Sequence, residues 1–299
     1  MNTAVTVFFL ILRVFSLYFL AVSLFGLCRR RTPEPAARLR QFAVLIAARN
    51  EESCIAGLIE SLQAQHYPPE LVDIWVLPNN CTDRTAEAAR RAGAQVLEMP
   101  SSVRSKGAAL HTAAKALLRS ARNYDAFCVF DADNEADPAF LSEMNRALDR
   151  TAIVKSRILA KNRTQAGISA CYEIYFCSAN HFLNRAREAV GLSARVIGTG
   201  FAIRRDLLEA LDGFPCRTLT EDAELYAACL CRGARIGYCE TAVTYDEEPV
   251  TWRASLVQRR RWMSGILQVA RLTLPELLAN FLRQPSLTCL DGLLQLSFP

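Results

Sequence analysis

Residues 4–28 form an uninterrupted apolar run, broken only by Arg13 and a few hydroxyls. As a helix rising about 1.5 Å per residue, such a run covers the roughly 30 Å hydrocarbon core of a bilayer and predicts a transmembrane helix. A cleaved signal peptide is the rival, but Met1-Asn2-Thr3 supplies no basic leader and no small-x-small cleavage pattern follows. Arg13 is costly in mid-membrane, so it snorkels or faces a partner helix, which leaves room for a membrane partner subunit.

Past the run, residues 29–41 read as a basic, proline-containing linker with Arg29, Arg30, Arg31, Arg38 and Arg40. The positive-inside rule puts this flank, and everything after it, on the cytosolic face of an inner or plasma membrane.

From residue 42 the pattern turns to short apolar runs alternating with amphipathic stretches. Strands are expected at 42–48, 72–77, 95–97 and 127–130, each followed by a helix-like segment, at 51–66, 84–92 and 105–122 for the first three. Strand and helix in alternation predict an α/β domain with a mostly parallel sheet covered on both faces and a ligand crevice at the strand ends. Beyond residue 149 the pattern loosens into a strand at 152–160, a long helix at 168–190, a glycine-flanked stretch at 196–203, a helix from 221 to 231 and a strand at 235–245. In the long helix Tyr172, Tyr175, Phe176 and Phe182 recur at near-helical spacing, which reads as core.

The charge is +5, from 35 basic and 30 acidic residues, with arginines gathered at 29–31, 38–40 and 258–261. Clustered arginine points to lipid headgroups or diphosphates. No zinc finger, RNP-like strand or basic recognition helix is present, so no nucleic acid is expected as partner. The 11 cysteines show no metal-ligand spacing, and most read as small buried hydrophobes in a reducing compartment.

The candidate chemistry centres on Asp131-Ala132-Asp133 at the end of the fourth strand. If the extended backbone persists, residues two apart share a face, and two carboxylates so close repel unless a cation lies between them. Mg2+ or Mn2+ suits such oxygens together with substrate phosphates. The plain alternative is a solvated acidic turn.

Ala47-Ala48-Arg49-Asn50-Glu51-Glu52, Asn80-Cys81-Thr82-Asp83-Arg84-Thr85-Ala86, Lys106-Gly107-x-Ala109-Leu110, Asp131-x-Asp133, Gly198-Thr199-Gly200, Thr220-Glu221-Asp222 and Gln258-x-x-Arg261-Trp262 follow one another in this order. In that order they resemble the family 2 glycosyltransferases of GT-A fold, in the membrane-bound branch that includes cellulose, hyaluronan and poly-N-acetylglucosamine synthases. The resemblance covers 42–270 as the catalytic domain and leaves 271–299 as a membrane-proximal segment. It implies a Rossmann-like nucleotide-diphospho-sugar transferase that inverts the anomeric centre, takes a UDP-sugar as donor with Mg2+ or Mn2+, and uses a saccharide or lipid-linked acceptor at the membrane. By the same resemblance Asp222 is the general base, Arg261 meets the departing diphosphate, Trp262 faces the acceptor and Gln258 belongs to the catalytic set. Asn50, Glu52, Asp83, Lys106 and Asp131 hold the donor nucleotide, and Asp133 holds the metal.

Bland readings stand beside these. Thr220-Glu221-Asp222 also reads as a helix N-cap, Lys106-Gly107 as helix-start punctuation, Gly198-Thr199-Gly200 as a bulge, and Gln258 to Arg261 as a basic interfacial helix with Arg259 and Arg260 on lipid. The sequence departs from many relatives at Pro78-Asn79, where they carry an acidic residue. It also ends at Pro299, where processive relatives continue into membrane helices, so a shortened chain and a non-exporting member are both open. A nucleotidyltransferase of similar topology and a catalytically silent membrane scaffold are the functional alternatives.

Overall fold

The structure, a computed structural model, describes residues 3–28 and 35–297. Arg29, Arg30 and Arg31 therefore lie outside the described residues. Helix α1 spans Thr3–Leu24, and the stretch Val5–Leu27 is long and apolar enough to cross a membrane.

The domain begins where Arg38 pairs with Asp125 at 2.9 Å and the buried Arg40 bonds Asp149 at 2.6 Å and the Asn145 carbonyl at 2.8 Å. Both arginines, read from the sequence as part of the basic linker, are thus ion-paired to the domain. Strand β1 (Phe42–Ala48) follows and is almost wholly enclosed, as its continuous apolar run requires. The chain then continues through α2 (Ile55–Gln63), β2 (Val72–Pro78), α3 (Thr85–Arg91), β3 (Gln95–Val96), α4 (Lys106–Leu118) and β4 (Ala126–Asp131). Strand β1 pairs in parallel with both β2 and β4, and β3 extends this half beside β2.

The second half departs from the parallel expectation. It contains β5 (Glu135–Ala136), α5 (Phe140–Ala147), β6 (Ile153–Ala160), α6 (Gly167–Ser178), α7 (Ala186–Ala189), β7 (Phe201–Arg204), α8 (Arg205–Ala210), α9 (Glu221–Cys231) and β8 (Ile236–Asp246). Strand β7 is antiparallel to both β4 and β6, while β8 runs parallel to β6 and antiparallel to β5. The sheet is thus mixed, in the order β3-β2-β1-β4-β7-β6-β8-β5. Apolar clusters cover both of its faces, one including Leu110 and Leu225 and the other Leu58 and Met144.

The single long helix expected at 168–190 is instead α6 and α7 joined by a π-helical stretch, Ala179–Arg185. Its wider turn brings the buried Asn180 against the β6 edge, where it bonds the Ile158 carbonyl at 2.6 Å, and Asn184 accepts the Arg195 amide at 2.9 Å. Of the four aromatics only Tyr172 and Phe176 are core; Tyr175 and Phe182 are nearly half exposed. The cysteines also differ from expectation, since four are buried, five half-buried and two exposed. Helix α10 (Trp252–Arg283) runs through residue 270 without a break, with Pro275 inside it, and α11 (Leu287–Ser297) folds back on it.

Candidate active site

Strand β4 ends at Asp131, and residues 132–133 form a turn rather than more strand. The alternation expected to align the two carboxylates is therefore interrupted, yet they remain neighbours. Burial, followed by the charges of Asp246, Asp131 and Glu51, pushes the Asp133 carboxyl up to about 8. At the end of β8, Asp246 accepts a 2.6 Å bond from Nδ2 of Asn134, and its pKa is likewise raised, by burial and then by Asp131. Two residues on, the buried Glu248 leaves Oε1 without a partner, and its pKa is raised by burial and then by Asp246 and Asp133. Burial and mutual repulsion thus oppose the ionisation of these three carboxyl groups, while Lys106 and Lys155 pull the other way on Asp246. Among the described residues no three acidic, His or Cys side chains converge as a closed metal cage. An open site of one or two carboxylates completed by substrate phosphates fits this arrangement.

Opposite this cluster, Lys106 reaches out of the first turn of α4. Its ammonium lies 2.6 Å from Asp131, 3.2 Å from Glu221 and 2.6 Å from the Gly198 carbonyl. Burial works against the Lys106 charge, but Asp131, Glu221 and Asp222 outweigh it and raise its pKa. Helix-start punctuation is supplied instead by Ser105, whose Oγ accepts the Ala108 amide. A β-carbon on Gly107 would meet Cβ of Glu221 at 2.9 Å, so α4 and the start of α9 touch here.

The Gly198–Gly200 segment is a turn gripped from several sides. Both glycines have positive φ, +29° and +61°, and a side chain on Gly200 would collide with Ser156 and Thr244. The Gly198 amide donates to Asp222 Oδ2 at 2.6 Å, and the Asp131 amide donates to Thr199 Oγ1 at 3.1 Å. From beneath, the buried Lys155 donates to the Thr199 and Gly200 carbonyls at 2.8 and 3.2 Å. Burial lowers its pKa to about 7, against the pull of Asp246 and Asp222.

Asp222 sits in the first turn of α9 and also accepts the Ala223 amide at 2.8 Å. Thr220, the residue at the N-cap position, makes no side-chain cap bond and instead packs against Gly265 of α10. The cap reading of this motif is thus incorrect for Thr220, while Glu224 reaches back to the Arg217 and Thr218 amides at 2.9 Å each.

Asn50, Glu52 and Asp83 form a separate rim across two loops. Asn50, held at φ +60°, accepts the Thr82 amide at 2.8 Å, and Glu52 pairs with Arg84 at 2.8 Å. Asp83 accepts from the Thr85 hydroxyl at 2.5 Å and the Glu52 amide at 3.1 Å, bonds that lower its pKa. Asn79, in the departing Pro78-Asn79 pair, donates to the Ser105 carbonyl at 3.1 Å.

On α10, Gln258 accepts the Tyr172 hydroxyl at 2.8 Å, and Trp262 meets the same ring edge-on at 6.1 Å. Trp262 and Ile197, the residue before the glycine turn, both pack against the cluster of Ile158, Tyr172 and Phe176. Arg259, exposed, lies 5.0 Å over the Tyr172 ring. Arg261 is exposed on the wall of a cavity of about 600 Å3 lined also by Pro249, Thr251, Arg253, Val257 and Gln258.

Lys106, Asp131, Glu221, Asp222 and the glycine turn are joined by direct bonds, while Asp133 faces Asp246. Sequence reasoning missed Lys155, Asp246 and Glu248. The run Asp246-Glu247-Glu248 after a strand was the available signal for the acidic pair; a lysine inside an apolar strand was the signal for Lys155.

Residues 40–265 match the family described as glycosyltransferase-like family 2. The chain belongs to that family. It is 28% identical over 244 residues to the probable glycosyltransferase YdaM of Bacillus subtilis (strain 168), covering 78% of this chain and 56% of that protein. It is 26% identical over 236 residues to the beta-monoglucosyldiacylglycerol synthase of Synechocystis sp. (strain ATCC 27184 / PCC 6803 / Kazusa), covering 75% and 47%. The chain thus spans about half the length of these curated relatives. Its fold superposes on the mannosyltransferase PcManGT from Pyrobaculum calidifontis in complex with GDP-Man and Mn2+ with a TM-score of 0.69, at 18% identity over 95% of this chain and 76% of that one. The fold is therefore the GT-A type, as its family membership requires.

Proposed function

We propose that this chain carries the catalytic domain of an inverting glycosyltransferase that moves a sugar from UDP to a saccharide or lipid-linked acceptor at the cytosolic face of a membrane. The observation that carries the reading is the bond from the Gly198 amide to Asp222, which joins the proposed base to the turn that also touches Lys106 and Asp131. In the reaction Asp222 takes the acceptor hydroxyl proton as the hydroxyl oxygen attacks the anomeric carbon. The bond from that carbon to the diphosphate oxygen breaks, and its electron pair leaves with the diphosphate. Arg261, exposed and always charged, receives that growing negative charge. Asp83 and Asp131 face the nucleoside, with Asn50 and Glu52 shaping the loop around it. Lys106 orients Asp131, and Trp262, steadied on Tyr172 with Gln258, offers a face to the acceptor. Asp133 and Asp246 are the residues that would hold Mg2+ or Mn2+, which when bound neutralises diphosphate charge.

A GDP-sugar donor is the second reading, favoured by the GDP-Man in the Pyrobaculum structure. Paired carboxylates alone would also suit a nucleotidyltransferase, whereas Trp262 as an aromatic face on Tyr172 and an apolar anchor find no use there. A silent scaffold would have no reason to leave Glu248 buried and unpaired. Incubating membranes that contain the chain with labelled UDP-glucose, UDP-N-acetylglucosamine and GDP-mannose, with Mn2+ or after chelation, tests the proposal. Metal-dependent label transfer from a UDP-sugar is the expected result; transfer from GDP-mannose alone overturns the uridine assignment, and transfer from none overturns the enzymatic one.

A further inference from the structure

Arg187 on α7 and Asp291 on α11 are both fully enclosed and pair through two bonds of 2.9 Å. The residues that close over the pair come from α1. The Tyr18 hydroxyl donates to Asp291 Oδ1 at 2.8 Å, and the Phe19 ring centre lies 5.6 Å from the Arg187 guanidinium. One turn on, Val22 packs with Ala186 and Leu192, and Gly26 lies against the His181 carbonyl so closely that a β-carbon would collide. From Tyr18 onward the helix is a built part of the domain rather than a tether.

This docking conflicts with a simple picture of a domain hanging below its anchor. The candidate span is Val5–Leu27. Residues 18–27 take up about 15 Å of it, leaving residues 5–17 with about 20 Å for a hydrocarbon core of roughly 30 Å. The docked turns nevertheless keep an apolar outer side, with Leu20 and Leu24 58% and 56% exposed. That surface has a counterpart on the elements around Asp291: Leu282 near the end of α10 is 72% exposed, and Leu287, one turn before Asp291, is 76% exposed.

We propose that the flank of the domain that grips α1 lies at hydrocarbon depth in the cytosolic leaflet, with acyl chains covering Leu20, Leu24, Leu282 and Leu287. The proposal rests on the membrane reading of α1 given above. Sinking the flank supplies the missing length without pulling Tyr18 off Asp291, which would leave a buried carboxylate short of a donor. The ion pair tolerates that depth because it is already sealed by protein: Arg187 donates twice to Asp291 and once to the Leu183 carbonyl, and Gln295 donates to Asp291 at 2.7 Å. Continuity with the apolar helix identifies the occupant as lipid rather than a soluble protein.

The test places the photo-crosslinker p-benzoylphenylalanine singly at Leu10, Leu282, Leu287 or the exposed Glu87 of α3, in the whole chain reconstituted in phosphatidylcholine/phosphatidylglycerol vesicles. Attachment to acyl chains is expected at Leu10, Leu282 and Leu287, at least tenfold above that at Glu87. Labelling at Leu10 with Leu282 and Leu287 no higher than Glu87 shows a domain that rides above the bilayer and overturns the proposal alone. Absence of labelling at all four positions overturns the membrane reading and this proposal together. All four positions are exposed, so the probe displaces no packed core.

Discussion

The backbone amide of Gly198 donates to Asp222 Oδ2 at 2.6 Å, while Asp222 Oδ1 takes the Ala223 amide at 2.8 Å. Both oxygens of the proposed base are thus oriented by peptide donors, one from a turn and one from its own helix. A carboxylate has lone pairs to spare beyond these two bonds, so it can still accept a proton from an acceptor hydroxyl.

Asp222→Asn removes that capacity with little change in shape. Only one of its two terminal atoms can accept a hydrogen bond, so one peptide donor is left unmatched, at a cost of about 1 kcal/mol in stability. Transfer is expected to fall by about a hundredfold or more with UDP affinity retained. Steady-state rates beside equilibrium UDP binding check this, and near wild-type transfer would remove Asp222 from the mechanism.

Arg261→Ala is expected to fail differently, because a diphosphate is present in the ground state and gains charge as the sugar leaves. UDP affinity and turnover should both drop, by about tenfold or more each, a loss of about 1.4 kcal/mol per factor of ten. An unchanged UDP dissociation constant by calorimetry would place Arg261 away from the diphosphate.

Asp133 is protonated below about 8 in the cation-free protein. A cation must displace that proton, so metal-dependent UDP binding should strengthen as pH rises from 6 to 8 and level off above. Asp133→Ala should abolish the metal dependence while leaving the fold intact, since it removes a ligand together with a buried carboxyl whose ionisation its surroundings oppose. Calorimetric titrations of Mn2+ with UDP at pH 6, 7 and 8 on both proteins read the effect directly.

Lys155 titrates near 7 in the fold against 10.5 unfolded. For a base whose folded pKa is depressed, the unfolded chain holds more protons between those values, so stability rises with pH through that window and is lowest below 7. Lys155→Met removes this dependence. The stability of the wild type relative to the variant should therefore increase between pH 7 and pH 9 by on the order of 2 kcal/mol, less than the full slope of about 1.4 kcal/mol per pH unit because Lys155 is half-protonated in the fold at pH 7. At pH 9 the variant should be the less stable, because the Thr199 and Gly200 carbonyls lose their donor. Denaturant midpoints at the two pH values test the sign.

The sequence by itself determined the parallel half of the sheet, because β1, β2 and β4 are apolar runs with helices between them, and that pattern has few other solutions. It also carried the ordered motifs that include Lys106, Asp131, Asp133 and Asp222, whose proposed roles come from the resemblance of that order to the family rather than from local periodicity. Only the tertiary structure decided who touches whom. The antiparallel entry of β7, the π-helical stretch that seats Asn180 on β6, and the approach of Asp246 to Asp133 across 113 positions of chain are pairings of distant segments, and no local periodicity encodes them. The same holds for Tyr18 and Asp291. An apolar run announces a helix, but that one of its hydroxyls completes a buried ion pair 273 residues away follows from packing alone.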